Sequence, residues 1–249
     1  MHTTLEPAAL AYLLHTLGAQ KVVGVANRRL FPKEEAARDA LLGTGFARLK
    51  ASGWLKEAEA GLHMNDRLML MAAVLAAPQQ VTTTTVLSDD SRQTVTIYLA
   101  NGHAVEQYLT PAGAYALTYL GDAAAVAPRL ASALAVLVAE PERPFRLTLG
   151  RAAFAAARRG QAAELPPAQA RLLAALAPVA RIEIAAFAET AVAAYDEVLL
   201  LSAAGGAGWL LAGTDETVTL MPFTEATLAR LLATGLRKTV AAVGDAHGR

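Results

Sequence analysis

Five histidines, His2, His15, His63, His103 and His247, are the first candidates for metal binding or acid–base work, and no two stand at i, i+3 or i+4. A metal site would need them to converge with carboxylates from several separate elements, so they read as solvated or singly buried side chains. The chain has no cysteine, which removes disulfides, thiolate metal sites, iron–sulfur clusters and cysteine nucleophiles together. Ser52, Ser88, Ser91, Ser132 and Ser202 fall in turns, a helix and a strand end, and no Gly-x-Ser-x-Gly turn presents one as a nucleophile. Ala204-Gly205-Gly206-Ala207-Gly208 lacks the Gly-Lys-Ser/Thr ending of a phosphate cradle and leads into a strand, so it reads as a hairpin. The adjacent acids Asp89 and Asp90 read as a solvated turn. No catalytic, cofactor-binding or metal-ligating residue is therefore expected, and the chain reads as a non-enzyme.

Composition sets the frame for these residues. With 249 residues, 54% hydrophobic and only 18% charged, the chain is far from the disordered regime and can bury a sizeable core. Lys plus Arg equals Asp plus Glu at 22 each, so no global field draws it to nucleic acid or anionic lipid, and any partner must be recognised locally. Met1 to Glu6 has neither a cationic start nor an apolar core. The apolar runs Ala123 to Ala139 and Val198 to Ala212 are broken by Pro128 and Arg129 and by Gly205, Gly206 and Gly208. Both fall short of the roughly 20 residues of a spanning helix, and the sequence reads as cytoplasmic.

The elements that must position any site follow from periodicity. Leu10, Leu13, Leu14 and Leu17 predict a helix over 5–17, with Thr4 as N-cap and Gly18 as stop. Pro32-Lys33-Glu34-Glu35 opens a second helix over Ala36 to Leu42, Gly43-Thr44-Gly45 breaks it, and Phe46 to Ser52 forms a third. A small hairpin around Ala60-Gly61 follows. Helix, turn, helix and hairpin predict a winged-helix-like region over 1–65. Its basic residues Lys33, Arg38, Arg48, Lys50 and Lys56 are matched by Glu34, Glu35, Asp39, Glu57 and Glu59, a poor footprint for DNA. No nucleic-acid partner is expected, and the region reads as a packing or protein-binding module.

Beyond it, a helix from Asp66 runs into Ala77-Pro78, and four strands follow: Val81 to Leu87, Val95 to Leu99, Val105 to Leu109 and Tyr115 to Leu120. Asn101-Gly102 is the strongest hairpin signal in the chain. Asp122 reads as the N-cap of a helix reaching about Val138. The second half repeats this order: a helix from Arg171 ending in Ala177-Pro178, strands at Ile182, Val198, Trp209 and Val218, then a helix carrying Arg230-Leu231. An offset of 101 residues maps Val81 onto Ile182 and Arg129 onto Arg230. The expectation is an α+β protein: a winged-helix-like region (1–65), a first repeat (66–139), a linker and helix (140–165), a second repeat (166–236) and a flexible tail (237–249). Each repeat is a helix, an antiparallel four-strand sheet and a helix, paired about a pseudo-two-fold axis. The aromatics Tyr98, Tyr108, Tyr115, Tyr119, Trp209 and Phe223 fall on the strands or just before the last helix, as sheet-face packing or as anchors for a partner.

This order, with Tyr98-Leu99-Ala100-Asn101-Gly102-His103-Ala104-Val105 leading into Leu117 to Leu120 and a helix, resembles the EspG family of cytosolic type VII secretion chaperones of actinobacteria. The resemblance implies a central antiparallel sheet flanked by helical bundles and a protein that binds the tip of a secreted helical heterodimer without catalysing anything. It implies a contact surface that includes the sheet and a strand-connecting loop, here Ser88 to Gln93, with Asp89, Asp90, Arg92 and Gln93 as the contact residues. Two other readings stay open: a winged-helix transcription regulator whose duplicated domain senses a ligand or forms a homodimer, and a structural assembly subunit.

Overall fold

The computed structural model describes residues 1–58, 61–87, 92–161, 165–188 and 191–234. In chain order the elements are β1 (His2–Leu5), α1 (Pro7–Thr16), α2 (Asn27–Leu30), α3 (Glu35–Ala51), β2 (Leu55–Ala58), β3 (Gly61–Met64), α4 (Asp66–Ala76), β4 (Gln80–Leu87), β5 (Arg92–Ala100), β6 (His103–Leu109) and β7 (Tyr115–Asp122). They continue with α5 (Val126–Leu134), β8 (Leu147–Gly150), α6 (Arg151–Arg158), α7 (Pro167–Ala175), β9 (Ala177–Ala188), β10 (Ala191–Ser202), β11 (Gly208–Gly213), β12 (Thr217–Pro222) and a helix, α8, over 225–234. Helices and a large antiparallel sheet coexist, as an α+β protein requires. Two compact units form: one holds Met1–Val81, Val95–Ala123 and Phe187–Ala191, the other Thr82–Thr94, Ala124–Ala186 and the described residues from Val192 onward.

In the first unit the strands run β1-β7-β6-β5 toward the start of β4. Tyr98 pairs with Val105 and Thr3 with Leu117, so alternate side chains point to one helical layer. Leu10, Leu13 and Leu14 of α1, Leu49 of α3 and Leu68, Met71 and Leu75 of α4 pack there with Tyr98, Val105 and Leu117. Asn101 (φ 49°) and Gly102 (φ 80°) both take positive φ, the two-residue turn that matches the twist of β5 and β6.

Three local expectations are corrected in the first half of the chain. Thr4 is a strand residue of β1, and the N-cap position of α1 is Glu6, with Pro7 opening the helix. Gly43-Thr44-Gly45 does not break a helix, because α3 runs unbroken from Glu35 to Ala51. A Cβ on Gly45 would overlap the Ala8 carbonyl and lie 2.8 Å from Tyr12 Cβ, so this glycine lets α3 cross close over α1. That contact outweighs a helix-propensity cost of about 1 kcal/mol. Asp122 ends β7 opposite His103, and the N-cap position of α5 is Ala125, reached through a 3₁₀ turn over Ala123–Ala125 that begins directly after Asp122.

In the second unit the order is β4-β9-β10-β11-β12-β8. Leu173 and Leu176, at the end of α7, pack with Ala157 of α6 on Leu201, Trp209 and Leu220, and Phe145 lies 4.6 Å from Trp209, ring to ring. Arg158 donates to the carbonyls of Leu173 (2.8 Å) and Leu176, satisfying two orphan acceptors at the end of α7. That helix stops at Ala175, so Ala177-Pro178 opens β9 instead of closing α7; a residue before proline is driven to extended backbone. Thr224 Oγ1 accepts from Thr227 N at 3.0 Å and caps α8. Ala203 N donates to the Ala207 carbonyl, making the glycine-rich run the turn between β10 and β11.

Candidate functional site

The loop singled out from the sequence joins β4 to β5. Asp89 and Asp90, with Ser88 and Ser91, lie outside the described residues; Arg92 is the first residue of β5, and Gln93 is an exposed strand residue beside it. What flanks the loop is open: Leu87 at the end of β4 is exposed, and Thr85 Oγ1 and Thr94 Oγ1 sit 3.5 Å apart across the two strands. Small hydroxyls and one leucine thus frame this end of the hairpin, at little cost to expose.

A second group of residues on the same unit escaped the sequence reading. Along β9, Ala180, Ile182, Ile184 and Ala186 are buried, which turns Arg181 and Glu183 to the opposite face. On β10, Val198 and Leu200 are buried and Tyr195 and Glu197 are exposed. These outward side chains bond to one another: Arg181 reaches Glu183 at 3.3 Å and Glu197 at 3.8 Å, and the Tyr195 hydroxyl donates to Glu183 at 2.7 Å. Lost hydration, then the bond to Glu183 and the charges of Glu183 and Glu197, push the Tyr195 hydroxyl up to about 12, so it remains a donor at neutral pH. Further along β10, Leu199 and Leu201 join the apolar cluster that includes α6 and α7 residues. The strand is therefore apolar where helices cover it and carries a charged, aromatic patch where they do not. Val192, 60% exposed, and Tyr195, 54% exposed, add apolar area to that patch.

The opposite side of these strands lines a cleft of about 290 Å³ in which Ile184, Val198 and Met221 meet Arg230 and Leu231 of α8. Of the repeated aromatics, Tyr98, Tyr115, Trp209 and Phe223 are core residues, all under 4% exposed, and Tyr108 and Tyr119 are half-buried. Tyr119 accepts or donates to His103 Nδ1 at 2.8 Å. Among the described residues no three His, Asp or Glu side chains gather to hold a metal ion, and no helix is long and apolar enough to cross a membrane.

The backbone that carries this patch has a solved counterpart. The chain superposes on EspG5, the type VII secretion system chaperone of Mycobacterium tuberculosis, solved in complex with the PE25–PPE41 dimer, with a TM-score of 0.63 over 97% of this chain and 96% of that one. The fold is that of EspG5. At 13% identity the likeness lies in the path of the backbone and carries no side chain across. No protein-family model and no curated protein matches the chain. The resemblance drawn from element order is thus matched at the level of the EspG5 fold.

Proposed function

We propose that this chain is a non-enzymatic chaperone or adaptor for a helical protein partner, docking it on the uncovered patch of β9 and β10 and on the β4–β5 hairpin. The observation that carries the reading is the near-complete overlap with EspG5, a chaperone solved with the PE25–PPE41 dimer. The patch supplies what such a surface needs: an exposed tyrosine as a rigid anchor and a pre-paired Arg181, Glu183 and Glu197 set that can exchange partners at little cost. Asp89, Asp90 and Arg92 would complete it from the neighbouring loop. The test is a pull-down with the immobilised chain from its native lysate, repeated with Arg181→Ala and Tyr195→Ala together; the proposal requires a helical protein that the double variant loses.

The same reading takes the two meanders, β4 to β7 and β9 to β12, as copies of one ancestral unit. In support, each is preceded by a helix (α4, α7) and followed by one (α5, α8), and each ends on an antiparallel four-residue strand from upstream, β1 on β7 and β8 on β12. The insertion between β1 and α4 then contains α3 and the β2–β3 hairpin, the winged-helix-like part, used for packing. An experimental structure in which the two meanders fail to superpose strand for strand would remove the duplication and leave the chaperone reading standing.

A further inference from the structure

Within the first unit the balanced charges of the N-terminal region are sorted unevenly. Glu35 sits 3.9 Å from Arg38, Glu6 pairs with Arg48 at 3.2 Å and Glu57 with Lys50 at 2.5 Å. The Lys50 bond and charge hold the Glu57 carboxyl below the usual range. These pairings leave Lys56 and Arg67 without an ion-pair partner among the described residues. Lys56 stands directly opposite His63 in the β2–β3 register, so the two side chains share one face of the hairpin. Arg67, in the first turn of α4, lines the same cavity of about 330 Å³, with the half-buried indole of Trp54 as one wall and Asn65 and Asp66 beside it.

We propose that this cavity binds a phosphate monoester carrying a planar ring, a mononucleotide in chemical class. Lys56 and Arg67 supply the cationic end that a phosphate needs, and the His63 ring adds a hydrogen-bonding nitrogen beside them. The Trp54 indole supplies a flat face for a ring to stack on, worth most where sequence readout is absent. The Asp66 carboxylate accepts from ribose hydroxyls or a ring amino group, while Asn65 Oδ1 already takes the Leu68 N–H at 3.1 Å as the cap of α4 and leaves only its amide nitrogen to donate. The volume lies at the small end of ligand sites, which suits one nucleotide better than a polymer. The site shares no residue with the patch on β9 and β10, and its failure would leave the chaperone reading untouched.

The chain has two tryptophans, and Trp209 is buried with no hydrogen-bond partner for its indole nitrogen, so Trp209→Phe strands no polar partner and leaves Trp54 as the sole tryptophan, excited at 295 nm to exclude tyrosine, with the fold of this background checked first by circular dichroism. In that background, titration with adenosine 5′-monophosphate should quench Trp54 saturably, adenosine should bind more weakly, and inorganic phosphate should compete. Lys56→Ala with Arg67→Ala should weaken the nucleotide about tenfold or more, with an unchanged circular dichroism spectrum, and Lys56→Arg with Arg67→Lys should restore it. No saturable quenching up to about 10 mM, equal binding of adenosine, or an unaffected double variant overturns the proposal. Quenching by a short DNA duplex at lower concentration than by the mononucleotide overturns it in favour of a nucleic-acid surface.

Discussion

Gly45 shows how one atom decides the packing of two helices. Because a methyl there would enter the Ala8 carbonyl, Gly45→Ala should destabilise by about 1–3 kcal/mol, read from the urea midpoint, although alanine is the better helix former. A neutral or stabilising result would show that α3 does not cross α1 this closely. Tyr98 anchors the same unit: its hydroxyl donates to the Val23 carbonyl at 2.5 Å inside the core, and Tyr98→Phe should cost about 1–2 kcal/mol in the same measurement. Tyr98, Tyr115 and Tyr195 all have hydroxyl pKa values raised, burial being the first cause in each. As pH climbs past about 10, unfolded tyrosines ionise while these three keep their protons, so the unfolded chain binds fewer protons and stability falls. Tyr195→Phe should make that fall shallower between pH 9 and pH 11; an identical slope in the variant would contradict the raised value.

Elements differed in how plainly the sequence announced them. The Asn101-Gly102 turn and the alternating strands β5, β6 and β9 were legible because turn chemistry and a period of two survive any tertiary setting. β1 and β8 were not: each has four residues, too few for a period, and each is a strand only because a meander offers it an edge. Gly43-Thr44-Gly45 read as a break because glycine's local cost was visible and its α1 neighbour was not. The candidate site divided in the same way. Loop chemistry pointed to Asp89, Asp90, Arg92 and Gln93, while Arg181 and Glu183 escaped, because nothing local to β9 says that helices leave their face of the strand bare. The patch makes its own prediction. Arg181→Ala with Tyr195→Ala should change unfolding free energy by no more than about 1 kcal/mol, since exposed pairs contribute little, yet weaken a docked partner about tenfold or more, as loss of anchor residues does. A variant that unfolds readily would make these side chains structural, and one that keeps its partner would move the site elsewhere.

For the whole molecule, the equal numbers of acidic and basic residues bear on the regulator alternative, because they leave no net cationic charge to hold DNA. A regulator would bind its operator with a dissociation constant of about 10⁻⁸ M or tighter at physiological salt; anisotropy titrations against genomic fragments should find no sequence-specific binding of that strength. The most direct measurement is purification of the tagged chain from its native organism, with mass spectrometry of what stays bound and light scattering on the complex. A chaperone of this kind elutes as a stoichiometric complex with a helical protein or helical pair, lost when Arg181 and Tyr195 are replaced. A chain that elutes alone, or a complex that survives that replacement intact, would contradict the chaperone reading.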